Sequence, residues 1–177
     1  MSTLDADSRQ TTNRFIFVVL GVLIVVNVAI IAIAQATQTP DVVTELARDA
    51  VRAHESGDYE TAIAGYSEAL NLANADELPR LYYNRGVSYW LNDDIDAAIA
   101  DLEQATTLDE TYNWPHLALG DVYSQQGDHE RALSSYRQFR NLSGGDEHAS
   151  ATANDRIKQT TTRLDTSNQE AGDGSSD

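Results

Sequence analysis

The feature that most constrains what this chain can fold into is a spacing. Gly86 recurs as Gly120, Tyr89 as Tyr123, Ala98 as Ala132, Leu102 as Tyr136 and Ala105 as Phe139, each after 34 residues. A fixed period of this size means copies of one supersecondary unit, each too small to bury its own apolar face and stable only when stacked on its neighbours. An earlier copy is present, because Gly57-Asp58-Tyr59-Glu60-Thr61-Ala62-Ile63 aligns with Gly127-Asp128-His129-Glu130-Arg131-Ala132-Leu133. Ala62 to Ala98 is 36 residues, so two extra residues enter around Asp76 to Leu78. Three units follow, at about 43–76, 79–112 and 113–146.

These residues resemble the tetratricopeptide repeat, a helix-turn-helix unit, over about 100 of the 177 residues. The resemblance implies an all-α fold: a three-repeat solenoid over 41–145, with two antiparallel helices per unit. In such a unit Gly86 and Gly120 mark where the second helix approaches the first too closely for a side chain, and Ala50 takes that place in the first unit. Ala62, Ala98 and Ala132 are the small partners on the second helices, and Leu46, Tyr66, Tyr82, Tyr89, Leu102, Tyr123 and Tyr136 fill the spaces between. Alternating small and large positions let the helices interdigitate. Gly57-Asp58 and Gly127-Asp128 supply a left-handed residue and then an N-cap, and Asn92-Asp93-Asp94 takes that part in the middle unit. Two departures stand out. Phe139 replaces a small residue, which implies that the last unit packs against something different, and the closing prolines of the units are missing.

After Gly144-Gly145 a further helix is expected over about 146–165. Ala149, Ala153, Ile157, Thr161 and Leu164 share one helical face there. A solenoid's last repeat leaves an apolar flank that a terminal cap must cover, so this helix is expected to lie on Phe139 and Leu133. Residues 166–177 lack an apolar anchor and are expected to be disordered.

The chain before the repeats has a different character. Residues 1–14 form a polar tail, and Phe15 to Ala34 is a run of twenty residues without a charge, in which Asn27 is the only polar side chain. Twenty helical residues reach about 30 Å, a bilayer's hydrocarbon thickness. A single-pass transmembrane helix is therefore expected at 15–34, with Gln35 to Pro40 as linker and Asp41 as N-cap of the first repeat. A cleaved signal peptide is the rival, given Ala34-Gln35-Ala36, but the apolar run exceeds a signal core and Asp5 and Asp7 dilute the positive end. A buried helix of a soluble core is the other rival. Asn27 and Gly21 could mark a helix–helix contact. Arg9 and Arg14 precede the span and the first basic residue after it is Arg48, which favours a cytoplasmic N-terminus and repeats outside the cytoplasm.

Composition removes several functions. There is no cysteine, hence no disulfide, thiolate metal site or thiol nucleophile. The net charge of -16 opposes nucleic acid and anionic lipid surfaces. Eighteen Asp against ten Glu, with Lys158 the only lysine, fit either a GC-rich genome or a salt-adapted surface. His54, His116, His129 and His148 show no paired metal-ligand spacing. Asp93, Asp94, Asp96 and Asp101 lack the pattern of a calcium loop and read as a solvated helix N-terminus. No nucleophile triad, P-loop or dinucleotide motif is present. No enzyme activity, cofactor or metal is expected. Asn141-Leu142-Ser143 fits a glycosylation sequon.

The resemblance also implies a function. Tetratricopeptide repeats bind other proteins along the concave surface of their first helices. The positions that match this groove are Ala47, Val51 and His54 in the first unit; Tyr83, Asn84, Val87 and Trp90 in the second, with Arg80 at its edge; and Trp114, Leu117, Asp121 and Ser124 in the third. Exposed groove aromatics anchor peptide partners, although Trp90 and Trp114 could equally pack on neighbouring helices. One subclass clamps the acidic C-terminus of a chaperone. Asn84 matches that clamp, but Ala47, Leu117 and Asp121 stand where it has basic residues, so a carboxylate finds no cationic pair here and binding of a chaperone tail is not expected. The expected role is a membrane-anchored scaffold that binds a protein or peptide partner, in assembly or quality control of an envelope complex. A homo-oligomer built by self-association of the repeats is the alternative.

Overall fold

The computed structural model of the chain describes residues 42–173, with side chains to residue 169. The expected transmembrane helix, its flanking tail and linker, the Asp41 cap and residues 174–177 lie outside the described residues. Within them are seven helices: α1 (Val42–Glu55), α2 (Tyr59–Leu72), α3 (Leu78–Leu91), α4 (Ile95–Leu108), α5 (Trp114–Gln125), α6 (His129–Leu142) and α7 (Glu147–Asp173). Each packs on the next, and α3 also meets α5. No described helix is long and apolar enough to cross a membrane.

The same turn joins first helix to second in every unit. Gly57 (φ 82°), Asp93 (φ 62°) and Gly127 (φ 79°) adopt the left-handed conformation. The next residue donates its amide five residues back: Asp58 to Ala53, Asp94 to Tyr89 and Asp128 to Tyr123, all at 2.9 Å. Those aspartates then cap the second helix, with Oδ1 accepting from the amides of Thr61, Ala97 and Arg131 at 3.1, 3.4 and 3.0 Å. The turn thus satisfies orphan carbonyls of one helix and orphan amides of the next. The two extra residues of the first interval extend a helix, not a loop. The links Ala73–Glu77 and Asp109–Asn113 are equal in length, whereas α3 has 14 residues and α5 has 12. Pro79 and Pro115 sit in the opening turns of α3 and α5, where a missing amide costs nothing.

The core is the small–large alternation expected from the repeat. Ala62, Ala98 and Ala132 are fully buried, as are Tyr66, Leu102 and Tyr136 on the same helices. A Cβ on Gly120 would lie 2.5 Å from Tyr136 Cδ1, and one on Gly86 would lie 3.0 Å from Leu102 Cγ and 3.2 Å from the Ala98 carbonyl oxygen. In the first unit the space is made from the other side: Ala50 stands on α1, and Gly65 of α2 faces it with no room for a methyl (3.0 Å to Ala50 Cβ).

One aspartate expected to be solvated is not. Asp101 is buried and binds Arg85 through two bonds, Nε to Oδ2 at 2.7 Å and Nη2 to Oδ1 at 2.9 Å. Arg85 also donates to Ser67 Oγ at 3.0 Å and lies against the rings of Tyr82 and Tyr89, so it joins α2, α3 and α4. The acidic group near the α4 start therefore divides by role: Asp93 makes the turn, Asp94 caps, and Asp101 pairs.

Phe139 is fully buried against Ala149 and Ala153 of α7 and 5.7 Å from the Trp114 ring. The large side chain on α6 is matched by alanines on α7, which keeps the helices close. On α7 the buried threonine is Thr160, and the expected Thr161 is exposed. The helix also continues to Asp173, into the stretch expected to be disordered. The sequon serine is engaged, since Ser143 is buried and its hydroxyl donates to the Phe139 carbonyl at 2.6 Å.

Candidate functional site

Three cavities open between the first helices α1, α3 and α5 and the terminal helix α7. The first, about 340 Å³, is lined by Val43, Ala47, Arg48 and Val51 from α1 and by Arg80, Leu81 and Asn84 from α3, with Asp76 and Glu77 at its rim. The second, about 170 Å³, lies farther along the same two helices and is bounded by Val51, His54, Glu55, Tyr83, Asn84 and Val87, with Tyr66 behind. Val51 and Asn84 line both. Val51 is 36% exposed, an aliphatic side chain held open to solvent at the junction. The third, about 250 Å³, joins Trp90 of α3 and Asp121, Ser124 and Gln125 of α5 to Arg156, Gln159, Thr160 and Arg163 of α7.

The structure thus brings ten of the twelve expected groove residues to cavity walls. The other two do structural work. Trp114 packs on Phe139 while remaining 48% exposed, and Leu117 lies half-buried between the α5–α6 core and the α6–α7 contact.

Local bonds fix the polar members. His54 Nδ1 lies 2.9 Å from Ser88 Oγ, which also donates to the Asn84 carbonyl. This contact spans the first two units and ties down His54, which lines the second cavity. Tyr83 stacks edge-on against Tyr112 at 5.5 Å. Burial raises the pKa of Tyr83 and pushes that of Tyr112 up to about 12, so both are neutral hydrogen-bonding phenols at any physiological pH. Burial likewise lowers the His116 pKa, which favours the neutral ring. Trp90 Nε1 donates to Gln125 Oε1 at 2.7 Å. Asp121 accepts from Tyr136 Oη at 2.8 Å and pairs with Arg156 at 3.1 Å. Its charge is therefore balanced from α7.

The contribution of α7 to the groove was absent from the sequence expectation, which made this helix a cap only. The signal was present: Arg156, Gln159, Thr160 and Arg163 fall at i, i+3, i+4 and i+7, a single helical face. Arg48 was missed because the groove positions came from matching units, and Arg48 is one residue off the match. Among the described residues no group of three or more His, Asp or Glu side chains could hold a metal ion. The walls are suited to an extended segment, with aliphatic and aromatic surface interrupted by amides and guanidinium groups.

The comparisons with known proteins agree with this geometry. A family model described as TPR repeat matches residues 92–127, and a second, described as tetratricopeptide repeat, matches residues 116–139. The chain is similar to the small glutamine-rich tetratricopeptide repeat-containing protein 2 of Saccharomyces cerevisiae, 30% identical over 93 residues, which cover 52% of this chain and 26% of that protein. It spans about a quarter of the length of the curated relatives it matches. Among solved structures, the Sgt2 TPR domain from Aspergillus fumigatus superposes with a TM-score of 0.64 at 23% identity, covering 72% of this chain and 82% of that one. The Yersinia enterocolitica type III secretion chaperone SycD, in complex with a peptide of the translocator YopD, gives 0.65 at 17% identity, with 71% and 97% covered. At these identities the structural likeness is one of fold. Repeat spacing, turn geometry, helix packing and family models converge: this chain contains tetratricopeptide repeats.

Proposed function

We propose that the chain is a membrane-anchored interaction scaffold whose repeats hold an extended segment of a partner protein in the groove between α1, α3, α5 and α7. The observation that carries this reading is the row of cavities on the first-helix face, with Val51 and Asn84 shared between two of them. Two cavities that share walls, with a third near the end of α3, suit a segment several residues long, whose side chains take successive pockets. SycD, whose fold this chain resembles, was solved with a peptide of the translocator YopD. Anchoring is supported by the apolar run Phe15 to Ala34, which is long enough to span a bilayer. Restriction to one membrane surface raises the effective concentration of anchored partners, so modest groove affinity suffices. Assembly or quality control of an envelope complex is a setting in which such a scaffold acts, and Arg9 and Arg14 support repeats on the non-cytoplasmic side.

The test uses the full chain in detergent micelles against a random decapeptide display library. Val51→Glu places a charge at the junction of two cavities on an exposed position, and Leu91→Glu alters an exposed residue that lines none of them. Enrichment by the wild type and by Leu91→Glu, with loss in Val51→Glu, is the expected result; equal enrichment by all three would sink the groove reading. Carbonate extraction of membranes, with and without residues 15–34, tests the anchor separately.

A second reading, self-association, is favoured by one observation. Val42, Leu72, Leu108 and Trp114 are exposed, and all stand where second helices end or first helices begin. Sedimentation of Leu72→Glu/Leu108→Glu against the wild type tests it: an oligomer that persists unchanged in the variant excludes this surface.

A further inference from the structure

We propose that α7 is a wall of the binding groove as well as a cap, and that its Arg163, with Gln159 beside it and Trp90 and Ser124 across the gap, holds an acidic side chain of the bound segment. This rests on the groove reading above and adds a requirement on the partner's sequence.

Charge distribution singles out this end of the groove. The first cavity sets Arg48 and Arg80 against Asp76 and Glu77 and is neutral overall, while the second carries only Glu55. The third holds Arg156 and Arg163 against Asp121 and is net positive, within a chain whose net charge is -16. Its neighbour along α7, lined by Asp155, Lys158, Gln159, Thr162 and Arg163, is also net positive and shares Gln159 and Arg163 with it.

The two arginines are not equivalent. Arg156 is committed to Asp121, a carboxylate that also holds the Tyr136 hydroxyl. Among the described residues Arg163 makes one long bond, 3.4 Å from Nη1 to Ser124 Oγ, which leaves the other donors of its planar fork for a bidentate carboxylate. The Trp90 indole N–H is already bound by Gln125, and its ring supplies apolar cover for the methylenes of an acidic side chain. Thr160, 2% exposed, lines the same cavity as Arg156 and Arg163. The clamp positions of the repeat itself, Ala47, Leu117 and Asp121, cannot do this, and α7 supplies the missing cation from outside the repeats.

The experiment is a positional-scanning decapeptide library displayed against the full chain in detergent micelles. The wild type is expected to select Asp or Glu over Asn or Gln at one position, and apolar residues at others. Arg163→Gln is expected to abolish the acidic selection and weaken an enriched peptide about tenfold, the scale of one charge-assisted bond, while apolar selection remains. Arg137→Gln, an exposed cation on α6 that lines none of these cavities, is expected to change neither. Acidic selection that persists in Arg163→Gln overturns the proposal, as does a wild type that selects apolar residues without acidic ones. A wild type that selects nothing overturns the groove reading as well. Because Arg163 is exposed, matching circular dichroism and melting curves are expected for both variants.

Discussion

Gly120 shows how little latitude the helix contacts leave. Its missing Cβ would meet the Tyr136 ring, and Tyr136 is 1% exposed with its hydroxyl tied to Asp121. Gly120→Ala is therefore expected to cost about 1–3 kcal/mol through overpacking, against the usual gain from alanine in a helix. Urea denaturation measures it, and Tyr136→Leu in the same chain should recover part of the loss. The Arg85–Asp101 pair has side chains 19% and 10% exposed. Asp101→Asn leaves the guanidinium with neutral partners, and a destabilisation of about 3 kcal/mol is expected at pH 7. A variant as stable as the wild type would mean that the pair is dispensable. Acid should act on the turns. The Thr61 contacts hold the Asp58 carboxyl below its ordinary 3.8, the Arg131 amide and guanidinium do so for Asp128, and the Thr111 bonds do so for Asp109. Folded values below unfolded ones mean stability that is complete above pH 3.8 and lost as pH falls through the lowered folded values. Melting temperature should therefore drop below pH 4, and Asp58→Asn/Asp128→Asn should flatten that drop.

At the scale of the element, α7 covers what the third unit leaves open. Phe139 is fully buried with Ala149 and Ala153 lying on it, and Arg156 neutralises Asp121. Ala153→Asp would bury a charge beside Phe139. The expected result is detachment of α7, seen as protease sensitivity near Gly144-Gly145 and a rise in Trp114 solvent exposure by fluorescence, with the earlier helices still folded. Retention of the wild-type digestion pattern would show that α7 is not held by this contact. The same residues explain why the helix was partly legible in sequence. Ala149, Ala153 and Ile157 gave its buried stripe by spacing. The extent to Asp173 was hidden, because the residues after Leu164 carry no apolar period, and continuity of backbone hydrogen bonding needs none.

The molecule as a whole is acidic, with a net charge of -16, while Arg48, Arg80, Arg156 and Arg163 line the groove cavities and Arg85 joins three helices. Carboxylates distributed over one repeat array repel one another, and salt screens that repulsion. Raising sodium chloride from about 0.05 M to about 1 M is therefore expected to raise the melting temperature; a fall would mean that pairs such as Arg85–Asp101 outweigh the repulsion. At this scale the division between sequence and fold has a physical basis. The period, the left-handed Gly57, Asp93 and Gly127, the three aspartate caps and the small–large pairs were all legible, because each depends on residues close in the chain or at one fixed repeat distance. Other features were not. Gly65 makes room for Ala50, Arg85 turns an aspartate that looks solvated into a buried partner, and Arg156 and Arg163 arrive in the groove from the terminal helix. Each of these depends on which faces of two separate helices meet. The sequence by itself determined the unit and its repetition, since steric and capping rules are local. Only the packing of the helices decided the charge and shape of the groove, since those are sums over side chains that no single period relates.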